Sequence, residues 1–204
     1  MAIHIHKNDL PDDLDLGSEI AVDTEAMGLV TGRDRLCVVQ VSDGRGDEHL
    51  VQIEKGQTTA PNLVRILSDR SVLKLFHFAR FDIVLLQETF GVVVTPIYCT
   101  KIASRLARTY TDRHGLKDLA RELISVDISK QQQSSDWGAD TLSDAQKEYA
   151  ASDVRYLHRI RDVLSDMLER EGRMNIAQAC FDFLPTRAAI DLAGWPDTDI
   201  FAHS

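Results

Sequence analysis

The sequence is poor in cysteine, and its three cysteines, Cys37, Cys99 and Cys180, lie far apart along the chain. Because the number is odd and no CxxC pair occurs, neither a disulfide framework nor a zinc site is indicated. We expect all three to behave as small buried hydrophobic residues.

Long hydrophobic runs are also missing. No apolar stretch approaches the roughly 18 residues that a membrane-spanning helix needs. The first residues, MAIHIHKNDLPDDLDLG, lack the apolar centre of a signal peptide. These absences predict a cytoplasmic protein with no membrane partner.

Positive charge is scarce, with 23 Lys and Arg against 32 Asp and Glu and a net charge of −9. A protein that holds long nucleic acid usually has a basic surface. Nucleic-acid chemistry is not excluded, because bound metal ions can supply positive charge where a phosphate lies. The balance favours short substrates, or basic residues confined to one face.

The 204 residues are enough for one domain, and 44% hydrophobic with 27% charged residues is typical of a globular protein. The first half has the patterns of strands and the second half those of helices. Three consecutive strand candidates with short connections predict an antiparallel meander. The strand candidates are 19–25, 35–42, 48–53 and 72–76, and the helix candidates are 61–68, 79–90, 99–109, 115–124 and 143–170.

A polar loop, 125–141, separates the last two of these helix candidates and is longer than most loops of a compact domain. Loops of this length tend to be functional or mobile. Ser143 and Gln146 follow it with the spacing of a capping box, which predicts a helix start there. Residues 172–204 predict a further helix and an irregular tail.

Two acids lie in the first strand candidate, Asp23 and Glu25 of IAVDTEAMGL. Side chains alternate along a strand, so both point to the same face, roughly 6 to 7 Å apart. Two like charges at this distance need a cation or a shared proton. Because no His or Cys stands beside them, a hard divalent metal ion is the preferred explanation.

Two further acids lie in weakly polar stretches of predicted helices. Asp82 follows His77 by about one turn in FHFARFDIVLL, and Asp153 follows Tyr149 by four residues in YAASDVRYL. The i, i+4 spacing places the phenol and the carboxylate on one helix face. We therefore expect three distant elements to bring four carboxylates to a common point.

A DxE strand, an HxxRFD segment and a YxxxD helix, in this order, resemble the DEDD superfamily of 3′–5′ exonucleases. The Tyr four residues before the last Asp marks the tyrosine subclass, since the histidine subclass has a His where this chain has Glu148. The segments GLKDLARELI, SKQQQSSDW and LSDAQKEYAASDVRYL resemble the ribonuclease D branch in particular. The resemblance covers about residues 18–165.

This resemblance implies a ribonuclease H-like α/β fold, with a five-stranded mixed sheet, its first three strands antiparallel, and helices on both faces. It also implies phosphodiester hydrolysis with two Mg²⁺ or Mn²⁺ ions. By analogy Asp23 bridges both ions, Glu25 and Asp153 complete the first, and Asp82 holds the second largely through water. Tyr149 would orient the attacking water, although an aromatic residue on an amphipathic helix can also be simple core.

Full-length ribonuclease D continues into helical nucleic-acid-binding domains, which this sequence lacks. A single exonuclease domain of this length (1–204, with its core at about 18–170) and a WPDTDIFAHS-like tail resemble the bacterial nano-RNase C group. This resemblance implies an enzyme that hydrolyses short single-stranded RNA, down to dinucleotides, to 5′-mononucleotides. It also implies that the chain assembles as a homo-octamer. The tail, 172–204, would serve packing or the oligomer interface.

Three alternatives stay open. A ribonuclease D that trims longer structured RNA would need a basic surface along the path of the RNA, and the sequence shows no sign of one. A DNA exonuclease is a weaker rival, since no motif reads the 2′-hydroxyl. A non-catalytic nucleic-acid-binding module would be expected to have lost one of the acids, and all are present.

Substrate contacts are predicted from three segments. The residues after the DxE strand could wedge against a terminal base, those flanking Asp82 could meet a phosphate, and the long loop offers a Trp for base stacking. His77 could equally be a structural histidine. The predicted contact residues are Met27, Gly28, Leu29, His77, Arg80, Gln133, Ser134, Ser135 and Trp137.

Overall fold

The computed structural model describes residues 2–30, 32–129 and 131–203, in which a mixed sheet is flanked by helices. In chain order its elements are β1 (Ala2–Lys7), β2 (Glu19–Ala26), β3 (Leu36–Ser42), β4 (Asp47–Gln52), α1 (Pro61–Ser68), β5 (Leu73–Phe76), α2 (Ala79–Phe90), β6 (Ile97–Cys99), α3 (Thr100–Ala107), α4 (Leu116–Ile124), α5 (Asp144–Arg155), α6 (Leu157–Arg170) and α7 (Met174–Leu192).

The sheet has the strand order β1-β4-β3-β2-β5-β6. β2, β3 and β4 form the predicted antiparallel meander, whereas β1, β5 and β6 pair in parallel with their neighbours. The predicted mixed α/β fold is thus confirmed. The prediction of five strands is wrong, since the described residues form six.

β1 was missed because its sequence, AIHIHK, has little apolar surface. Besides the small Ala2, its apolar residues are Ile3 and Ile5, both at least partly exposed, and the strand lies at an edge of the sheet. Its partner β4 begins 45 residues later in the chain, at Asp47. Pairing at such a separation leaves no local signal. β6 was missed because it spans only three residues before α3 begins.

The predicted helix 143–170 is two helices. α5 ends at Arg155 and α6 begins at Leu157; Tyr156 between them has a φ of −108° and a ψ of −3°, which depart from regular helix geometry. The predicted capping box is present, with Ser143 and Gln146 bonded reciprocally. Because Ala150 and Ala151 are small and fully buried, α5 packs closely against the central strands. This close approach positions the residues of the site.

The remaining predicted helices are present within one or two residues of their expected bounds. α7 runs through Pro185 and buries Phe181 and Leu184 in the main core. In the part of the chain that is described, no helix has the length and hydropathy needed to cross a membrane.

Candidate active site

Three acids meet where α5 crosses β2. Asp23 and Glu25 lie on β2, and Asp153 lies on α5 with 9% of its surface exposed. Each of the three can offer a carboxylate oxygen such that the oxygens all lie within 4.8 Å of one another. The structure therefore brings together two residues of one strand and a third that follows 128 positions after Glu25.

Asp82 reaches the same region from α2. Thr24 stands between the two β2 acids and, because strand side chains alternate, points to the opposite face. There its Oγ1 donates a hydrogen bond of 2.7 Å to Asp82 Oδ1. Both residues are buried, with 6% and 3% of their surfaces exposed. α2 and α5 thus approach β2 from different sides, each with one acid.

The four carboxylates repel one another in a desolvated setting. Burial, followed by the charges of Asp82, Asp153 and Glu25, raises the pKa of Asp23 well above its usual range. Burial, with Asp153 and Asp82, raises the pKa of Glu25 to about 9.

Burial also raises the pKa of Asp82, to about 7, against the opposing effect of the Thr24 hydrogen bond. Among the residues that the structure describes, no Lys or Arg forms an ion pair with Asp23, Glu25 or Asp82. A cluster of buried carboxylate oxygens is the donor set that Mg²⁺ and Mn²⁺ prefer. The residues present therefore fit the two divalent ions implied by the sequence.

Tyr149 lies one turn before Asp153 and is half-buried at the same cleft. Burial, then the nearby charges of Asp153 and Glu25, raises its pKa, and a side-chain hydrogen bond to Asp153 acts in the same direction. Its hydroxyl therefore stays protonated at neutral pH, able both to donate and to accept a hydrogen bond.

The Trp137 ring packs against the Tyr149 ring. The two ring centroids are 5.9 Å apart with an angle of 40° between the planes, and Trp137 is only 3% exposed. Trp137 lines the cleft, but so little of it is accessible that stacking on a base would require movement. Its first role in this structure is packing against Tyr149.

A buried ion pair fixes α5 on the sheet. Arg155 donates to both carboxylate oxygens of Glu48, at 3.0 and 3.1 Å, and to Glu148 at 2.6 Å. Glu48 belongs to β4 and is fully buried. Because Glu148 and Arg155 bracket Tyr149 and Asp153, the pair sets the position of the helix segment that carries both. No sequence pattern predicted this ion pair, since Glu48 and Arg155 lie 107 residues apart.

The acids lie in a cleft of about 840 Å³. Met27 and Leu29 stand exposed on its wall, at 52% and 80%. His77 Nδ1 lies 2.9 Å from Thr100 Oγ1, which fixes the imidazole against α3. The predicted contact residues that line the cleft are Met27, Gly28, Leu29, His77, Gln133, Ser134, Ser135 and Trp137.

Arg80 is the predicted contact that the structure does not bring to the cleft. Its Nε and Nη2 donate to the two carboxylate oxygens of Asp191, at 2.6 and 2.8 Å. This pair joins α2 to α7, and Arg80 faces a second cavity instead. Asp191 lies 111 residues away in the sequence, so only the tertiary structure reveals the competing partner.

Other residues of the cleft wall were not predicted. Two of them are lysines, Lys101 and Lys117. This acidic chain therefore has some positive charge at the cleft itself. Lys117 belongs to the GLKDL motif, which was its only sequence signal. The unpredicted wall residues include Thr24, Phe78, Phe81, Lys101, Leu116 and Lys117.

Comparison with known proteins shows the family of the chain. Residues 6–169 match the family model described as 3′–5′ exonuclease. The ribonuclease D of Granulibacter bethesdensis is 36% identical over 160 residues, which cover 76% of this chain and 39% of that protein. The chain thus spans about two fifths of the length of this and two other curated ribonuclease D relatives.

Two solved structures match the whole chain. Brucella melitensis NrnC bound to pGG is 58% identical with a TM-score of 0.97, and covers 100% of both chains. Brucella melitensis NrnC with bound Mg²⁺ is 57% identical with a TM-score of 0.96, again over 100% of both. With the family model matched across the four acids and Tyr149, this chain belongs to the 3′–5′ exonuclease family.

Proposed function

We propose that this chain is a metal-dependent 3′–5′ exoribonuclease that hydrolyses short oligoribonucleotides, down to dinucleotides, to 5′-mononucleotides. The observation that carries the proposal is the cluster of Asp23, Glu25 and Asp153, whose oxygens converge at the base of one cleft with Asp82 beside them.

Divalent ions bound there would neutralise charge on the phosphate and make water more acidic, as in other two-metal sites. The chain supplies the rest. Tyr149 would orient a water molecule, and its protonated hydroxyl with a hydrogen bond to Asp153 supports this role. Thr24 holds the Asp82 carboxylate in one orientation, and the Glu48–Arg155 pair fixes α5 so that Tyr149 and Asp153 keep their positions.

Preference for short RNA is supported by the cleft and by a relative. The cleft is of a size usual for small-ligand sites, and the net charge of −9 provides little attraction for a long strand. NrnC of Brucella melitensis, similar over its full length, was solved with pGG and with Mg²⁺. We infer that this chain takes the same classes of substrate and ion.

The test is hydrolysis of 5′-labelled RNAs, from dinucleotides to strands of about twenty nucleotides, with Mg²⁺, Mn²⁺ or a chelator. We expect rapid cleavage of dinucleotides, slower attack on long strands, and no cleavage in chelator. Efficient stepwise shortening of the long strands would instead favour trimming of longer RNA. Absence of cleavage under every metal would favour a non-catalytic binding module, and parallel DNA strands test the sugar preference.

We also propose that the chain acts in the cytoplasm as a homo-oligomer, an octamer by resemblance, and that 1–204 is a single domain. α7 supports the single domain because it packs on α2, α3 and β6. Exposed apolar residues on α7 and the tail support self-association; they are Ile176, Trp195, Ile200 and Phe201. Light scattering on the purified chain measures the mass, and a monomer at micromolar concentration would contradict the proposal.

A further inference from the structure

Phe78 adopts an unusual backbone conformation at the site. Its φ of 68° and ψ of 42° lie in the left-handed region, directly before α2 begins. A residue with a Cβ rarely takes this conformation, and a bulky apolar one is a clear outlier. Such outliers persist where the surrounding structure holds them, and they concentrate at functional sites.

Burial of the ring does not explain this conformation. Phe78 keeps 47% of its surface exposed, whereas the preceding Phe76 is fully buried in the core. The exposed residue lies on the wall of the cleft that contains the four acids. It also borders an adjoining apolar cavity of about 600 Å³ between α3 and α7.

The neighbours of Phe78 fix its position. His77 Nδ1 is 2.9 Å from Thr100 Oγ1, and Thr100 Oγ1 in turn donates to the Phe76 carbonyl at 3.1 Å. These contacts tie the segment before α2 to the first turn of α3. The next residue of α3, Lys101, places its Nζ 4.2 Å from the centroid of the Phe78 ring. The cleft wall therefore has an aromatic ring with an ammonium group over one of its faces.

We propose that Phe78 is a nucleobase-stacking platform, and that Lys101 places positive charge beside a phosphate of the bound dinucleotide. The ring face opposite Lys101 can stack on any base, and the ammonium over the other face suits a phosphate. The inference rests on the proposed function, because it assigns a part of the substrate to a wall of that cleft. It adds a base subsite on α2 and α3, separate from the acids and from the Met27–Leu29 wall.

Stacking on a phenyl ring does not read hydrogen-bonding groups, so the platform accepts all four bases. The expected specificity is therefore for the presence of a base and not for its identity. Lys101 acts through charge, so its contribution weakens as salt concentration rises.

The first test replaces the ring without adding strain. Phe78→Gly suits a positive φ, so the Tm should stay equal or rise. The KM for a 5′-phosphorylated dinucleotide should increase by about 5- to 150-fold, the range that corresponds to loss of one base–aromatic stack. Phe78→Tyr should retain the wild-type KM, and Phe78→Leu should lose most of the binding. Unchanged KM in Phe78→Gly would overturn the proposal.

A matched control separates relief of strain from loss of the ring. Ser125 also has a positive φ, 56°, at the end of α4, and it is exposed. Ser125→Gly should leave KM and kcat unchanged. If Ser125→Gly changes KM as Phe78→Gly does, the effect belongs to backbone flexibility and the stacking role is wrong.

The second test pairs the variant with abasic dinucleotides, in which one base or the other is absent. For the wild type, removal of the stacked base should raise KM by the same factor as Phe78→Gly does. For Phe78→Gly, removal of that base should have no further effect. If removal of a given base raises KM by the same factor in the wild type and in Phe78→Gly, for either base, the ring contacts neither base.

Failure of the proposed function remains distinguishable from failure of the subsite. Equilibrium binding of the same dinucleotides is measured by titration calorimetry in the Asp153→Asn background, without hydrolysis. Binding that is weakened by Phe78→Gly supports the subsite even if the wild type hydrolyses nothing. Binding that is insensitive to Phe78→Gly overturns the subsite even if the wild type is an active exonuclease.

Discussion

Thr24 Oγ1 donates a 2.7 Å hydrogen bond to Asp82 Oδ1, and this bond joins the strand that carries two acids to the helix that carries another. Thr24 separates Asp23 from Glu25 in the sequence and would pass for a spacer in the DxE motif. Its hydroxyl opposes the effect of burial on the Asp82 pKa. It therefore favours the charged form of the carboxylate, which is the form that binds a cation.

Thr24→Val keeps the shape of the side chain and removes this bond. We expect the Asp82 pKa to rise further above about 7, and Mg²⁺ affinity or activity at pH 7 to fall by about 10- to 100-fold. The loss should shrink toward pH 9, where Asp82 is ionised in either protein. Metal titrations at both pH values measure it, with Thr24→Ser as the control; equal losses at both would contradict the explanation.

Without metal, the acid cluster should destabilise the protein as pH rises. Folded-state pKa values of about 7 for Asp82 and about 9 for Glu25 exceed the ordinary 3.8 and 4.5, so the folded state binds protons that the unfolded state has released. The free energy of unfolding in chelator should therefore fall progressively from about pH 5 to pH 9, and Mg²⁺ should restore it.

Glu25→Gln should flatten that pH dependence and raise the Tm in chelator. The expected rise is about 2 to 4 °C for each kcal/mol of repulsion removed. Asp23→Ala should likewise keep the fold intact while hydrolysis is abolished. Thermal unfolding followed by circular dichroism is the measurement, and an unfolded Asp23→Ala protein would assign Asp23 a structural role.

Tyr149→Phe should lower kcat and leave metal binding nearly unchanged. We propose that the hydroxyl orients the attacking water, and a group in such a role contributes about 10²- to 10⁴-fold to a rate. Trp137, whose ring centroid is 5.9 Å from that of Tyr149, offers a fluorescence signal for the metal titration. Equal losses in kcat and in metal affinity would mean that Tyr149 mainly supports Asp153.

The edge strand β1 should loosen in mild acid. His49 is buried, its ring stacks on His4 at 4.9 Å, and its Nδ1 lies 3.0 Å from His6 Nε2. Burial and the neighbouring histidines lower the pKa of both His6 and His49 below 6.5. The unfolded state therefore takes up protons first, so stability is full above pH 6.5 and falls as pH drops below it.

Hydrogen exchange of the β1 amides between pH 5 and pH 8 measures this effect. His49→Gln should remove most of the pH dependence, with His203→Gln in the tail as the control. Protection of β1 that does not change over this range would show that the histidines stay neutral in both states.

The order of elements was predictable because it depends on local patterns. Short apolar segments joined by short connections marked β2, β3 and β4, and the Ser143–Gln146 capping box marked the start of α5. β1 was not predictable, since AIHIHK becomes a strand only through its pairing with β4. Nor was the break at Tyr156, because both halves of 143–170 have helical periodicity.

At the site, the sequence alone determined which side chains are the candidates for the chemistry: the spacing of Asp23 with Glu25 and of Tyr149 with Asp153 follows from strand and helix periods. Tertiary structure decided what each neighbour does. Arg80 pairs with Asp191 and so does not reach the cleft, and Trp137 is buried against Tyr149. Thr24 is hydrogen-bonded to Asp82, and Phe78 remains exposed. These outcomes depend on contacts between residues distant in sequence. Periodicity along a chain does not indicate which distant residue a given side chain contacts.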